Sequence, residues 1–366
     1  MVQTVVLRVH PSRPAAAKIQ RAAAVLRQGG LVAFPTETVY GLGANALDAT
    51  AVARIFKAKG RPAYDPLIVH LAAPEELPQV AREVPELAWT LARAFWPGPL
   101  TLVLPKAPAV PSNVTAGRDT VAVRVPSHPV AAALLRAAGV PVAAPSANRF
   151  GHTSPTTAAH VLEDLGGLID LVLDAGPTPV GVESTVLDLT AEEPVVLRPG
   201  GVSVEALAAV LGRPPRLARP PLGEDLETPP AGLASPGMLP QHYAPRAELW
   251  LLLGPPDAVL TEIRRRTIEL ARQGRRVGLL VAGEDCPRLQ DLPAVVRSAG
   301  SARRPATVAR GLYTALRELD RRGVDVILAR DFGSTGLALA VRDRLLRASG
   351  GRVAVVASER SRGTSV

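Results

Sequence analysis

A single cysteine, Cys286, stands in 366 residues. One thiol cannot close an intramolecular disulfide, and it excludes a zinc cluster built on cysteine. A reduced, cytoplasmic setting is the expectation. Long hydrophobic runs are missing too. Hydrophobic residues make up 47% of the chain, yet no stretch approaches the roughly 20 apolar residues that cross a bilayer. Met1 to Pro14 lacks the charged-then-apolar order of a signal peptide. Familiar motifs are absent as well: no G-x-x-x-x-G-K-[ST], no H-E-x-x-H among the six histidines, and no G-x-S-x-G elbow. Gly41-Leu42-Gly43 lacks the third glycine of a dinucleotide fingerprint. A hydrolase or zinc enzyme is disfavoured, and no protein-held metal site is expected.

What is present suits two domains. The net charge of +9 is uneven. Residues 1–245 hold 20 Lys+Arg against 20 Asp+Glu, and residues 246–366 hold 22 Arg against 13 Asp+Glu. That excess has two readings: an acidic partner such as tRNA, contacted weakly, or a solvated surface in a chain that prefers arginine. Only Lys18, Lys57, Lys59 and Lys106 are lysines among 42 basic residues, which supports the preference.

The first part alternates helical and strand patterns. Ala15 to Gln28 has helical spacing and stops at Gly29-Gly30; Leu31 to Phe34 reads as a buried strand. Thr50 is placed to cap a helix carrying Val52, Ile55 and Phe56, and a further helix spans Leu87 to Phe95. Strands are expected at Leu100 to Leu104, Val121 to Val125, Val140 to Ala144, Leu171 to Leu173, Val186 to Leu189 and Val195 to Leu197, giving an α/β fold with a large sheet. Residues 213–245 hold nine prolines in 33 positions and read as a linker. Residues 246–366 then alternate strand and helix, a smaller α/β domain with a parallel sheet.

Polar residues cluster at the expected strand ends. Pro35-Thr36-Glu37-Thr38-Val39-Tyr40-Gly41-Leu42-Gly43 sets hydroxyls beside glycines, either for a ligand or as a strand-to-helix turn. Lys57, Lys59 and Arg61 put three cations within five residues, which suits phosphate, although cations also favour a helix C-terminus. Arg124 is alone on its face of an apolar strand and needs an anion, from a ligand or from an internal ion pair. Pro145-Ser146-Ala147-Asn148, Gly181-Val182-Glu183-Ser184-Thr185 and Leu197-Arg198-Pro199-Gly200-Gly201 are three more such segments.

Taken in order, these segments resemble the YrdC family. Pro35 to Gly43, Lys59-Gly60-Arg61-Pro62 with Pro66-Leu67, Trp96 to Thr101, Arg124-Val125-Pro126, Pro145 to Asn148 and Glu183 to Val186 carry the likeness. Ser235-Pro236-Gly237-Met238, His242-Tyr243-Ala244-Pro245 and the second domain resemble the long, two-domain threonylcarbamoyl-AMP synthases. The resemblance implies a twisted mixed sheet with a concave basic cavity (residues 1–212), a linker or lid (213–245) and a smaller Rossmann-like α/β/α domain (246–366). It implies an enzyme making threonylcarbamoyl-AMP and pyrophosphate from L-threonine, bicarbonate and ATP with Mg²⁺, for a tRNA modification completed by other transfer machinery. By the same resemblance Thr38, His70, Arg124, Ala144 and Ser184 would contact threonine. ATP would meet Arg61, Asp65, Thr120, Ser146, Asn148, Ser154 and Arg198, with Ser235 or Tyr243 brought over the nucleotide and Lys57 and Lys59 adding charge. Lys59 and Arg61 would stabilise charge, and no covalent nucleophile is implied. Asp65 stands where the family more often has Asn. Carbamoyl-transfer enzymes of hydrogenase maturation share such a domain but carry cysteine zinc fingers, which one cysteine cannot build. A non-catalytic tRNA- or nucleotide-binding module is the other alternative.

Overall fold

The inner strands of the first sheet are buried on both faces, so they read as apolar runs rather than as alternation. A computed structural model describes residues 3–218, 232–239 and 242–357. The strands of the large sheet are β1 (Val5–Arg8), β2 (Val32–Pro35), β3 (Tyr40–Asn45), β4 (Ile68–His70), β5 (Leu100–Pro105), β6 (Thr120–Arg124), β7 (Val142–Ala143), β8 (Leu171–Asp174), β9 (Thr185–Asp188), β10 (Val195–Arg198) and β11 (Arg216–Leu217). They lie in the order β1-β8-β2-β3-β7-β4-β6-β5-β9-β10-β11, with parallel and antiparallel neighbours mixed. Helices α1 (Ala16–Arg27), α2 (Ala49–Lys59), α3 (Glu86–Phe95), α4 (Pro129–Ala138), α5 (Ala158–Leu165) and α6 (Val204–Leu211) accompany it. One apolar cluster joins Val52, Ile55, Leu91 and Val123; another joins Leu26, Phe34, Leu134 and Leu173.

Two local readings are corrected. The cap of α2 is Asp48, whose carboxylate accepts from the Thr50 and Ala51 amides; Thr50 already lies inside the helix. Gly41 and Gly43 are not in a strand-to-helix turn but in β3, hydrogen-bonded antiparallel to β2. A Cβ on Gly43 would come within 2.8 Å of Phe34 and Val142, so close packing chose glycine there.

The chain divides into two compact units, one of residues 1–150 with 154–239, the other of residues 151–153 with 240–366. Within the first, the described part of the proline-rich segment folds back onto the sheet's connections. Leu233 N–H donates to the Tyr64 carbonyl (2.9 Å), and Arg118 Nη1 donates to the Gly232 carbonyl (3.1 Å). The second unit holds a five-stranded, wholly parallel sheet of β12 (Glu248–Leu253), β13 (Val277–Ala282), β14 (Ala294–Gly300), β15 (Val326–Arg330) and β16 (Val353–Val355), ordered β14-β13-β15-β12-β16. Its helices are α7 (Pro256–Arg272), α8 (Pro305–Arg321) and α9 (Gly336–Ser349). Among the described residues no helix is long and apolar enough to cross a membrane.

Candidate active site

The turn after β2 organises one side of the site. Thr36 Oγ1 donates to the Val39 carbonyl (2.7 Å) and accepts from the Thr38 and Val39 amides. Its only proton is thereby spent, so in the 2.8 Å contact between the two hydroxyls Thr38 is the donor. The Thr38 oxygen keeps a lone pair for Arg124 Nη1, at 3.0 Å. Arg124 ends β6, in register with His70 at the end of β4. Its Nη2 lies 2.7 Å from Glu37 Oε2, and both side chains are buried. The ion pair that sequence left as one option for Arg124 is therefore present. It does not exhaust the guanidinium: Arg124 Nε has no hydrogen-bond partner among the described residues.

His70 is buried with its Nδ1 3.2 Å from the Ile68 carbonyl. Burial, and then the Arg124 charge, push its pKa down to about 3, so the ring is neutral and Nδ1 carries the proton. Ala144 follows β7, its amide bonded to the Ile68 carbonyl (2.9 Å). Ser184 shares a 2.8 Å hydrogen bond with Thr101, and Arg198 Nη2 donates to its carbonyl and hydroxyl at 3.0 and 3.2 Å. The remaining arm of Arg198 reaches the Pro236 carbonyl, beside the fully buried Ser235. Gly200 permits this: a Cβ there would fall 2.3–2.4 Å from backbone atoms of residues 183–185.

The lysines separate. Lys59, the last residue of α2, is buried and donates to the Ser146 and Asn148 carbonyls. Burial and the neighbouring Arg61 charge hold its ammonium pKa well below the usual lysine value. Its direct role is to fix the loop bearing Ser146 and Asn148. Lys57 is turned about 200° around the helix and is exposed, so the structure does not bring it to this cluster. Arg61 donates to the Asp65 and Pro66 carbonyls and pairs with Asp65 Oδ1 at 2.9 Å. Asp65 is fully buried; burial raises its pKa, while Arg61, Lys59 and Arg198 oppose that rise. Arg198 thus acts on Asp65 and also on Arg124, which links the two halves of the cluster electrostatically. Ser154 is buried and donates to Glu183 Oε1 (2.5 Å). Thr120 begins β6, half-buried and paired with Pro105.

Tyr243 is placed in the second unit, its ring beneath Arg344 at 4.9 Å and 6.1 Å from that of Tyr313. Glu37 and Glu183 carry partners in this cluster that their sequence segments did not identify. The only signal was a carboxylate within each polar segment.

Four buried basic side chains and three buried carboxylates, gathered at strand and helix ends of a mixed sheet, define an α/β protein with a buried, charged site. Residues 24–200 match the family model described as Telomere recombination (Sua5_yciO_yrdC), and residues 202–350 match that of the Threonylcarbamoyl-AMP synthase, C-terminal domain. The threonylcarbamoyl-AMP synthase of Pyrococcus abyssi is 49% identical over 92% of this chain and 95% of its own length; that of Bacillus subtilis is 48% identical over 92% and 94%. The crystal structure of P. abyssi Sua5 complexed with L-threonine superposes with a TM-score of 0.90 at 47% identity, covering 96% of this chain and 100% of the other. This chain belongs to the threonylcarbamoyl-AMP synthase (Sua5) family.

Proposed function

We propose that this chain is an L-threonylcarbamoyladenylate synthase, converting L-threonine, bicarbonate and ATP into threonylcarbamoyl-AMP, pyrophosphate and water. The observation that carries the reading is Arg124: a buried guanidinium, oriented by Thr38 and Glu37, with a donor still unspent. An amino-acid carboxylate would satisfy it. In this reading the cations line one concave, positively charged hollow. Threonine sits against Thr38, His70, Arg124, Ala144 and Ser184, and the nucleotide lies toward Arg61, Ser146, Ser154 and Arg198.

Threonine's amine and bicarbonate give a carbamate, whose oxygen attacks the α-phosphate in line as pyrophosphate leaves. The protein's task is to hold three anions together, which buried arginines and backbone N–H groups achieve by position and charge. A neutral His70 adds no cation that would trap the substrate's carboxylate. Among the described residues no three His, Cys, Asp or Glu side chains converge as metal ligands. Magnesium arriving with the triphosphate would therefore take its ligands chiefly from phosphate oxygens and water, neutralising the leaving group's charge. Asp65 is already held by Arg61 and serves first to offset its neighbours' charge.

We take residues 1–212 as the catalytic domain, 213–245 as a linker, of which 219–231 and 240–241 lie outside the described residues, and 246–366 as a Rossmann-like domain. The product serves tRNA modification in the cytoplasm. The test is pyrophosphate release from ATP by the purified chain. Release requiring both L-threonine and bicarbonate is expected; threonine-independent release, or none, would leave the non-catalytic binding module standing.

A further inference from the structure

Glu37 carries a buried oxygen with no hydrogen-bond partner among the described residues. Its Oε2 is engaged twice, by Arg124 Nη2 at 2.7 Å and by the Ser127 amide at 3.2 Å. Its Oε1 is buried and accepts no hydrogen bond among the described residues. The backbone around it is fixed: the Thr36 hydroxyl bridges the turn, and the Glu37 and Thr38 carbonyls accept from the Val180 and Gly181 amides at 2.9 and 3.0 Å. The carboxylate itself is held through Oε2 by Arg124 and the Ser127 amide. An unmatched buried acceptor of this kind costs free energy until a donor arrives. Beside it, Arg124 Nε is an unmatched buried donor. One ion pair thus shows a free donor on its cationic partner and a free acceptor on its anionic one. An α-amino acid zwitterion has the complementary pair, a carboxylate and an ammonium on one carbon.

We infer that Glu37 Oε1 receives the substrate's α-ammonium and takes up the proton that nitrogen must lose before it can form a bond to carbon. The inference rests on the reading of Arg124 as the carboxylate site. The step balances: R–NH₃⁺ passes one proton to Glu37, and R–NH₂ with HCO₃⁻ gives R–NH–COO⁻ and water. The nitrogen lone pair forms the N–C bond, and the proton leaves Glu37 for solvent. The charged and titratable groups around Glu37 suit this task. Arg124 faces it directly, His128 lies within its electrostatic reach, and Arg198 and His70 stand behind Arg124. Burial lowers the pKa of both histidines, so neither competes as a cation for the Glu37 oxygen.

Two measurements on the full chain test this. The first is equilibrium binding of L-threonine against 2,3-dihydroxybutanoate, which replaces the ammonium by a hydroxyl. The native protein should prefer threonine by about 30-fold or more, and Glu37→Gln should lose most of that preference while Glu37→Asp keeps part of it. The second is the pH profile of threonine-dependent pyrophosphate release. Glu37→Gln should fall about 10²–10³-fold at pH 7 and approach the native rate near pH 9.5, where free threonine is largely amine. Equal weakening for both ligands, with a rate deficit constant across pH, would mean that Glu37 only orients Arg124 and would overturn the inference. If Glu37→Gln does not fold, Glu37→Asp decides: equal affinity for the two ligands sinks the proposal. A native chain that discriminates the ligands but releases no pyrophosphate would leave this binding role intact and instead refute the proposed reaction.

Discussion

At the scale of the residue, His70 makes a prediction independent of catalysis. Its pKa falls from an ordinary 6.5 to about 3, with burial the first cause and Arg124 the second. Below pH 6.5 the unfolded chain therefore binds a proton that the folded chain refuses. This site's penalty is nil above that pH and grows as pH drops toward 3. At pH 4.5 it amounts to about 2–3 kcal/mol. His70→Asn should flatten the loss of stability between pH 7.5 and pH 4.5, read as the shift in urea midpoint. Asp65, whose raised pKa acts in the opposite direction, is common to both proteins and cancels in the comparison. Parallel losses in the two proteins would show that His70 is protonated within the fold. Sequence could not have supplied this. It could suggest that Arg124, opposite an apolar strand face, needs an anion. It could not show that Glu37, 87 positions earlier, supplies one oxygen and withholds the other, because that depends on where a turn is pinned.

At the scale of the element, helices with one wet face were the most legible. Helix α7 is such an element, because Val259, Leu260 and Ile263 face inward while arginines face water. Helix α4 (Pro129–Ala138) escaped because Pro-Val-Ala-Ala-Ala-Leu-Leu-Arg-Ala-Ala is apolar on nearly every side and shows no contrast. Strand β3 escaped because its glycines argue locally for a turn and are required only by what packs against them. Gly200 shows the same dependence at the site. Alanine there would drive its Cβ into the backbone of residues 183–185 and push Ser184 aside. Gly200→Ala should cost about 1–3 kcal/mol or more of stability and raise KM for threonine, whereas Gly212→Ala should cost only about 1 kcal/mol. Gly212 caps α6 at φ +73° with nothing within 4 Å of its would-be Cβ. Thermal unfolding and threonine kinetics of the two variants check the contrast; equal behaviour would mean that the 183–185 segment yields freely.

At the scale of the whole molecule, many of the described arginines of the second unit are engaged by neighbouring carboxylates. Arg265 and Arg266 share Glu262 and pull its pKa down to about 2, while Arg275, Arg276 and Arg288 pair with Glu248, Asp325 and Asp257. Such exposed pairs add little stability each. Other arginines of this unit are buried. Arg317 on α8 is one of them, and its Nη2 donates to the Thr153 carbonyl at 2.6 Å. Residues 151–153 cluster with the second unit, where the Gly151 carbonyl also accepts from the Ala244 amide at 2.8 Å. The next residue in the chain is Ser154, which is tied to Glu183 in the candidate site. Covalent continuity makes the second unit's hold on Thr153 a constraint on Ser154. Arg317→Met keeps much of the side chain's bulk and removes the donor. It should raise KM for ATP about three- to tenfold with kcat little changed, because a bound nucleotide would then have to order the loop itself. A lowered melting temperature with an unchanged KM would instead confine Arg317 to holding its own unit together.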